Sequence, residues 1–271
     1  MNRVPPAIAG SAAVHTAALA GLAAEWGNWP WALAAVAANH AVLTTACMSP
    51  RSRLLGPNIR RAPSRSRARG EVALTFDDGP DPVGTPRVLD ILDRHGATAS
   101  FFCIGSRAAR DPGLVREIAA RGHSVENHTF RHLNSFAFRW PAGLAMEIGR
   151  AQELLTELTG RAPIFFRAPM GIHGPWLQSV LAGFGLSLVS WTRRGYDGIP
   201  ANPDAVLARL RRGLAAGDIL VLHDGGPSGG RAAIETLPRL LGAIADRGLT
   251  AVSLRQSFSP VPDGAETRSP A

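Results

Sequence analysis

The chain has 271 residues, 45% of them apolar, with 29 basic side chains against 21 acidic ones. That is enough apolar sequence for one sizeable core, and it excludes an intrinsically disordered chain. Every cation is Arg, and the excess is local: residues 1–70 carry eight Arg against Glu25 alone, while residues 71–271 carry 21 Arg against 20 acids. A nearly neutral main portion removes the usual argument for nucleic acid, and no nucleic-acid partner is expected. Cys47 and Cys103 stand far apart without metal-knuckle spacing, so neither a disulfide framework nor a thiolate zinc site is supported.

In chain order, residues 7–24 and 31–48 come first, each 18 residues long and uncharged. At about 1.5 Å per residue they lie at the short end of a bilayer-spanning helix. Between them, Trp26, Trp29 and Trp31 cluster around Pro30, where an interfacial aromatic belt would sit. The pattern predicts a two-helix membrane anchor over residues 1–48. A soluble helical hairpin packed on the main domain is the alternative, since alanine dominates and His15, Asn39 and His40 interrupt the runs. A cleaved secretory signal fits less well, because a second apolar run follows and no clear A-x-A site precedes a mature start.

Residues 49–70 carry seven Arg, no acid, and many Pro, Ser and Gly, the composition of a flexible linker. Positive-inside reasoning places this linker and Arg3 in the cytoplasm and the Trp-rich loop outside. The expected setting is therefore a bacterial inner membrane, contacted through residues 1–70, with the main domain on the cytoplasmic side. Binding of the linker to anionic headgroups or nucleic acid is the functional alternative to a topology signal and spacer, and the second is preferred.

From Glu71 to residue 256, short apolar runs alternate with amphipathic stretches. Candidate strands are residues 71–76, 98–104, 123–127, 164–168, 186–191, 218–222 and 249–254. Gly96, Gly122, Gly160 and Gly217 close the intervening helices. Repeated βα units predict a parallel α/β sheet, closed as a small barrel or open and doubly wound, followed by a flexible tail over residues 257–271. Unusual polar residues fall just past the strand ends: Asp77 and Asp78, His128 and His132, Arg167, Asp197, and His223 with Asp224. That is the active face of a β/α barrel.

Asp77 and Asp78 leave their strand in different directions, so one can ligate a metal while the other accepts a proton beside it. His128 and His132, four apart, suit one face of a helical turn. With one aspartate they make a two-histidine, one-carboxylate set that leaves a position for water, which a divalent metal acidifies toward neutrality. Ligands without thiolate suit Zn²⁺ but also Co²⁺, Ni²⁺, Mn²⁺ or Fe²⁺.

The segments TFDDGP (Thr75–Pro80), GHSVENHTFRH (Gly122–His132), RAPMG (Arg167–Gly171) and LVLHD (Leu220–Asp224) together resemble the polysaccharide deacetylases with the NodB homology domain, carbohydrate esterase family 4. The resemblance spans about 180 residues and implies a distorted (β/α)7-type barrel and metal-dependent hydrolysis of an N-acetyl group on an amino sugar. It further implies Asp77 as general base, Asp78, His128 and His132 as metal ligands, His223 as general acid, and Arg167 as the residue orienting Asp77. The backbone N–H of Met170 is the candidate oxyanion donor. The chain departs from the family's Asp-x-x-Asp-Trp pattern: Asp197 keeps the second acid, to pair with His223 or Arg167, but Arg194 and Gly198 replace the first acid and the aromatic wall. Met170 also stands where an aromatic residue is common. Trp191 and Tyr196 are candidates for stacking on a sugar.

The expected substrate is an N-acetylated polysaccharide, oligosaccharide or lipid-linked glycan. An O-acetyl carbohydrate esterase and a non-catalytic membrane protein binding carbohydrate or lipid are the alternatives. Glu126 reads as a surface or loop acid, His123 as a strand residue, and His173 as a loop residue reaching either substrate or solvent.

Overall fold

Strand β1 (Glu71–Asp77) sends Val72, Leu74 and Phe76 outward into the main hydrophobic cluster, and by the two-residue repeat Ala73, Thr75 and Asp77 face the opposite side. In the computed structural model, which describes residues 5–227 and 229–260, seven more strands join it in one parallel sheet. They are β2 (Ser100–Cys103), β3 (Ser124–Asn127), β4 (Phe165–Phe166), β5 (Ser187–Leu188), β6 (Arg193–Arg194), β7 (Ile219–His223) and β8 (Thr250–Val252). The order is β5-β4-β3-β2-β1-β7-β6, with β8 beside the start of β1.

The two ends of that order come from one stretch of chain. Residues 189–192 alone separate β5 from β6, and five residue steps reach at most about 17 Å, so the sheet has to curl round on itself. This is the curled, distorted parallel α/β barrel that the family resemblance implies, and one of the two arrangements the alternation allows, with one strand more than expected. The run 186–191, expected as a single strand, pairs with β4 only at its start, and the chain then crosses to β7 as β6.

Three helices precede the barrel: α1 (Pro6–Ala24), α2 (Trp29–Met48) and α3 (Ser64–Ala68). Around it lie α4 (Gly84–Arg94), α5 (Gly105–Arg110), α6 (Pro112–Ala120), α7 (Pro141–Thr159), α8 (Leu177–Gly183), α9 (Pro203–Arg211), α10 (Arg231–Ala245) and α11 (Leu254–Phe258). Their ends follow local chemistry. The Asn202 side chain accepts the Asp204 N–H at 2.8 Å to start α9, and left-handed Gly160 (φ 67°) closes α7. Val88, Leu89, Ile91 and Leu92 bury one face of α4 against the sheet. Inside the curl, Phe102, Phe165, Val189, Ile219 and Leu254 form a separate cluster below the site. Arg3 and residues 261–271 of the expected tail lie outside the described residues.

Residues 49–70 are not the flexible spacer that their composition suggests. The Ile59 N–H donates to the Leu188 carbonyl at 2.9 Å and the Ser190 N–H donates to the Ile59 carbonyl at 2.8 Å, while Ala62 N–H reaches Gly217 O at 2.8 Å. Arg61 and Arg193 both pair with the buried Asp218 carboxylate. The segment thus runs from the free edge of β5 to the chain entering β7 and satisfies backbone groups at both, a role that arginine and proline counts do not reveal. Leu55 is fully buried there. Leu55→Ala should destabilise the protein by about 2–5 kcal/mol in a urea titration with an unchanged m-value, whereas a free spacer would show no change.

The first two helices pack on each other and scarcely touch the barrel. α1 has no buried residue, and Ala46 is the one buried residue of α2. Their polar residues face one another: Asn39 Nδ2 donates to Ser11 Oγ at 2.9 Å, and the His15 and His40 rings meet edge to face at 5.3 Å. Both helices are long and apolar enough to cross a membrane, and the exposed Thr16 and Thr45 hydroxyls bond the carbonyls of Ala12 and Ala41 one turn back.

Candidate active site

Strand register brings the chemistry together. On β1, Asp77 sits level with His223 of β7. On the other side, Asn127 of β3 sits level with Phe166 of β4, so the next residues, His128 and Arg167, emerge beside each other. Asp77, Asp78, His128, His132, Met170, Trp191, Arg194, Tyr196, Gly198 and His223 line one cavity of about 200 Å³ at the carboxyl ends of the strands. Arg167 and Asp197 lie behind that wall, fully or almost fully buried. Asp77, Asp78, His128, His132, Met170, Trp191, Tyr196 and His223 thus stand on the wall and Arg167 and Asp197 directly behind it, whereas Asp224, expected on the same face, does not line the cavity.

Arg167 donates through Nη1 to Asp77 Oδ1 at 2.6 Å and to Thr75 Oγ1 at 2.8 Å. Its other nitrogens reach the Val189 carbonyl at 3.3 Å and the Ser190 carbonyl at 3.1 Å, and the guanidinium lies 4.1 Å over the Phe102 ring. A planar fork with this many acceptors has one orientation, and so does the carboxylate it holds. Thr75 shares that network and donates to the Leu220 carbonyl at 2.7 Å. In the sequence Thr75 reads as a strand residue, and the two-residue repeat from Asp77 places it on the same face of β1 as that carboxylate.

The possible metal ligands converge without a helix. Residues 128–135 form an irregular loop rather than the helical turn that the spacing suggests. The Asn127 side chain accepts the Thr129 N–H at 3.0 Å, and the Thr129 hydroxyl accepts the His132 N–H at 3.0 Å, which folds His132 back onto His128. Nε2 of His128 and Nε2 of His132 stand 3.4 and 3.3 Å from Asp78 Oδ1. One ligand atom from each residue lies within 4.8 Å of the others.

Two observations test whether this set fits a metal. Asp78 Oδ1 is buried without a hydrogen-bond partner, and His128 Nδ1 bonds the Arg167 carbonyl at 2.8 Å, which leaves its Nε2 lone pair for the ligand position. Burial, followed by the charge of His128, holds the His132 imidazole down to about 4, so it is neutral and able to coordinate near pH 7. The residues fit a divalent cation.

The backbone is strained here. Among the described residues, the non-glycine positions in left-handed conformation are Asp78 (φ 70°), Thr129 (65°), His132 (53°), Met170 (55°) and Tyr196 (60°). Four line the cavity and Thr129 braces His132. Such positions cost about 1–3 kcal/mol each and persist where the surrounding structure dictates them.

His223 is paired with Asp197, which receives both the His223 backbone N–H at 2.8 Å and its Nδ1 at 3.0 Å. Burial alone would lower the pKa of His223. The Asp197 hydrogen bond and charge, with the charges of Asp77 and Asp78, outweigh that and raise it above the ordinary value. An acid with a raised pKa keeps its proton to higher pH, so activity that needs it falls as pH rises through that raised value. Asp197→Asn removes the raising partner and leaves burial in place. The alkaline limb of the kcat profile should move to lower pH, which a pH–rate series on both proteins would measure.

Other residues are placed differently from their sequence reading. Asp224 points away from the cavity, where Thr85 Oγ1 donates to it at 2.5 Å and burial pushes its carboxyl up to about 7. Glu126 is no surface acid: it is fully buried, paired with Arg255 at 2.8 Å, and accepts the Ile164 and Phe165 N–H groups at 3.0 Å each. His173 is buried against the end of α2, where its N–H donates to the Cys47 carbonyl at 3.3 Å. Trp191 is both core and wall, 7% exposed yet lining the cavity, while Tyr196 is 56% exposed at its mouth. At Gly198 an added Cβ would sit 3.1 Å from the His223 ring, so the missing aromatic wall leaves glycine backbone directly against the imidazole.

A parallel barrel carrying a two-histidine, one-carboxylate set beside an Asp–Arg and a His–Asp pair defines a class of hydrolase, and the comparisons agree. The polysaccharide deacetylase family model matches residues 64–189. A chitooligosaccharide deacetylase of Sinorhizobium fredii is 37% identical over 214 residues, 73% of this chain and 97% of that protein. Among solved structures, the Bc1960 peptidoglycan N-acetylglucosamine deacetylase superposes with TM-score 0.70 at 28% identity, covering 74% of this chain and 92% of that one. A family 4 carbohydrate esterase from Streptomyces lividans, solved with acetate, gives TM-score 0.64 at 32% identity, covering 72% and 98%. The chain belongs to the polysaccharide deacetylase family, carbohydrate esterase family 4.

Proposed function

We propose that this protein is a membrane-anchored, metal-dependent hydrolase that removes the N-acetyl group of an amino sugar carried on an oligosaccharide, a polysaccharide or a glycolipid. The carrying observation is the meeting in one cavity of the Asp78, His128 and His132 donors with Asp77 held by Arg167 and His223 held by Asp197. The relatives named above act, by name, on chitooligosaccharide and on peptidoglycan N-acetylglucosamine, which supports an N-acetylated sugar here.

Asp78, His128 and His132 would hold the metal, Zn²⁺ in our reading, with Co²⁺, Ni²⁺ or Mn²⁺ as substitutes. When bound, such a cation polarises the amide carbonyl and acidifies water. Asp77 takes the proton of the attacking water at a carboxylate whose direction Arg167 fixes. His223, tied to Asp197 through Nδ1, presents Nε2 to the cavity and gives a proton to the departing amine as the C–N bond breaks. The Met170 N–H is assigned to the developing oxyanion, and Trp191 and Tyr196 to the sugar face. Residues 1–48 serve as the anchor, 49–70 as an arm closing the barrel and 71–256 as the catalytic unit. The Arg-rich arm favours a bacterial inner membrane with the barrel on the cytoplasmic side.

The test is acetate release by the full-length protein from N-acetylated chitooligosaccharides, a lipid-linked N-acetylamino sugar and an O-acetylated xylo-oligosaccharide, each with and without Zn²⁺. Metal-dependent release from an N-acetylated substrate is the expected result. Release from the O-acetyl ester alone would replace the assignment with an esterase, and release from none would replace it with a binding protein.

A further inference from the structure

The apolar helix pair joins the barrel at its catalytic end. Beyond the last turn of α2, Pro50 packs against Gly171, where an added Cβ would lie 2.6 Å from the proline ring, and Cys47 accepts the His173 N–H. This loop after β4 also carries Met170 of the cavity wall. Gly174 in turn lies against the Ala137 carbonyl, which ties in the loop after β3. On these two loops stand Phe138, Trp140 and Trp176, respectively 77%, 73% and 43% exposed, with the Trp140 and Trp176 rings stacked at 6.4 Å. Met170, 42% exposed, connects them to the cavity mouth. Exposed Arg51 and Arg53 follow directly after α2.

Large rings in water are unfavourable unless something covers them, and indole rings are at home where apolar tails meet headgroups. A helix of 20 residues spans about 30 Å, so if α2 crosses a bilayer its end at Met48 marks one interface. Both aromatic loops adjoin that point, and arginines beside it suit anionic headgroups.

We propose that the catalytic end of the barrel rests on the bilayer, with Phe138, Trp140 and Trp176 in the headgroup region and the cavity mouth beside the membrane surface. This rests on the reading of α1 and α2 as an anchor, and it deepens the proposed function: the amino sugar is met at the membrane surface, as the head of a lipid. Continuity with the helix pair selects a phospholipid bilayer as the occupant of this surface over a second copy of the chain.

The experiment uses the full-length chain with Trp26, Trp29 and Trp31 changed to Phe, leaving Trp140, Trp176 and the 7% exposed Trp191. It is reconstituted in vesicles of phosphatidylethanolamine and phosphatidylglycerol with brominated acyl chains. Tryptophan emission should fall about twofold against unbrominated vesicles. The quenching should disappear when Trp140→Phe and Trp176→Phe are added. Flotation reports anchoring separately. Protein that floats with the vesicles but is not quenched overturns the docking and leaves the anchor standing. Protein that does not float overturns both, and an unquenched dimer assigns the aromatic surface to a second copy.

An independent observation concerns the cavity itself. Arg194 lines it with its guanidinium 5.0 Å from the Trp191 ring and 5.1 Å from the Tyr196 ring. Among the described residues no carboxylate lies within salt-bridge distance of Arg194, and its Nε is buried without a hydrogen-bond partner. A cation set over two rings in a sugar-sized cavity lacks an anion. We infer that Arg194 binds an anionic substituent of the substrate, a phosphate or a carboxylate.

Calorimetry on the metal-loaded full-length protein with N-acetylglucosamine 1-phosphate, N-acetylmuramic acid and a neutral methyl N-acetylglucosaminide separates the sources. At least one of the two charged ligands should bind more tightly than the neutral one, and Arg194→Gln should weaken that ligand about 10- to 100-fold, a larger loss than for the neutral sugar. Equal binding of all three to the wild type, or an equal loss for all three in the variant, overturns the inference.

Discussion

Replacing Asp77 by Asn should lower kcat by about 10²–10⁴-fold while metal binding and fold survive. The substitution is isosteric, and the amide oxygen can still accept the Arg167 Nη1 donor that now reaches Asp77 Oδ1 at 2.6 Å. What is lost is the capacity to take a proton at that position. Single-turnover acetate release, with metal content measured on the same samples, checks this. A fall in metal content parallel to the fall in rate would instead make Asp77 a ligand. Undiminished turnover would remove it from the reaction.

Arg167→Met should have the largest combined effect. The guanidinium is 1% exposed and holds Asp77, Thr75 and two backbone carbonyls, so its removal leaves a buried carboxylate without its partner. Losing one member of a buried pair costs about 3–5 kcal/mol. Turnover should fall with it, because the base loses its fixed direction. The pair can be separated from its parts by a double-mutant cycle. If Arg167 acts through Asp77, Arg167→Met in the Asp77→Asn background costs less stability than in the wild type, since no charge remains to be left unpaired, and lowers kcat little further. Additive losses in both quantities would place Arg167 elsewhere in the reaction. Urea titrations and single-turnover rates on the four proteins supply the measurement.

Both predictions depend on side chains that the sequence exposes unusually well. The alternation of residues 71–77 and the glycine-proline turn after it locate Asp77 and Asp78 at a strand end, and parallel register then aligns Asp77 with His223. Strand periodicity was legible because these strands are buried on both sides and apolar. Strand β6 was not, since two arginines paired to an edge carry no hydrophobic repeat. The arm of residues 49–70 was misread for a related reason. Its contacts are backbone hydrogen bonds, buried residues such as Leu55 and the Arg61–Asp218 pair, none of which composition reveals.

Within the site, ligand identity was readable and ligand geometry was not. His128 and His132 converge through a loop held by Asn127 and Thr129, and no spacing rule anticipates the left-handed backbone at positions 129 and 132. Glu126 shows the converse error. An acid within an expected strand reads as solvated until its partner is known, and Arg255 lies 129 positions further along the chain. Arg194 could be recognised in the sequence only as a departure from a pattern. Its place over Trp191 and Tyr196 gives the departure a chemical meaning.

In the proposed function, Asp78, His128 and His132 bind the cation on which hydrolysis depends. Metal-stripped full-length protein titrated with Zn²⁺, with acetate release followed at each addition, tests it most directly. Activity should rise in proportion to added metal, level off near one equivalent per chain, and fail to saturate in that range for His132→Ala. Full activity in the stripped protein, or a titration that His132→Ala leaves unchanged, would contradict the account.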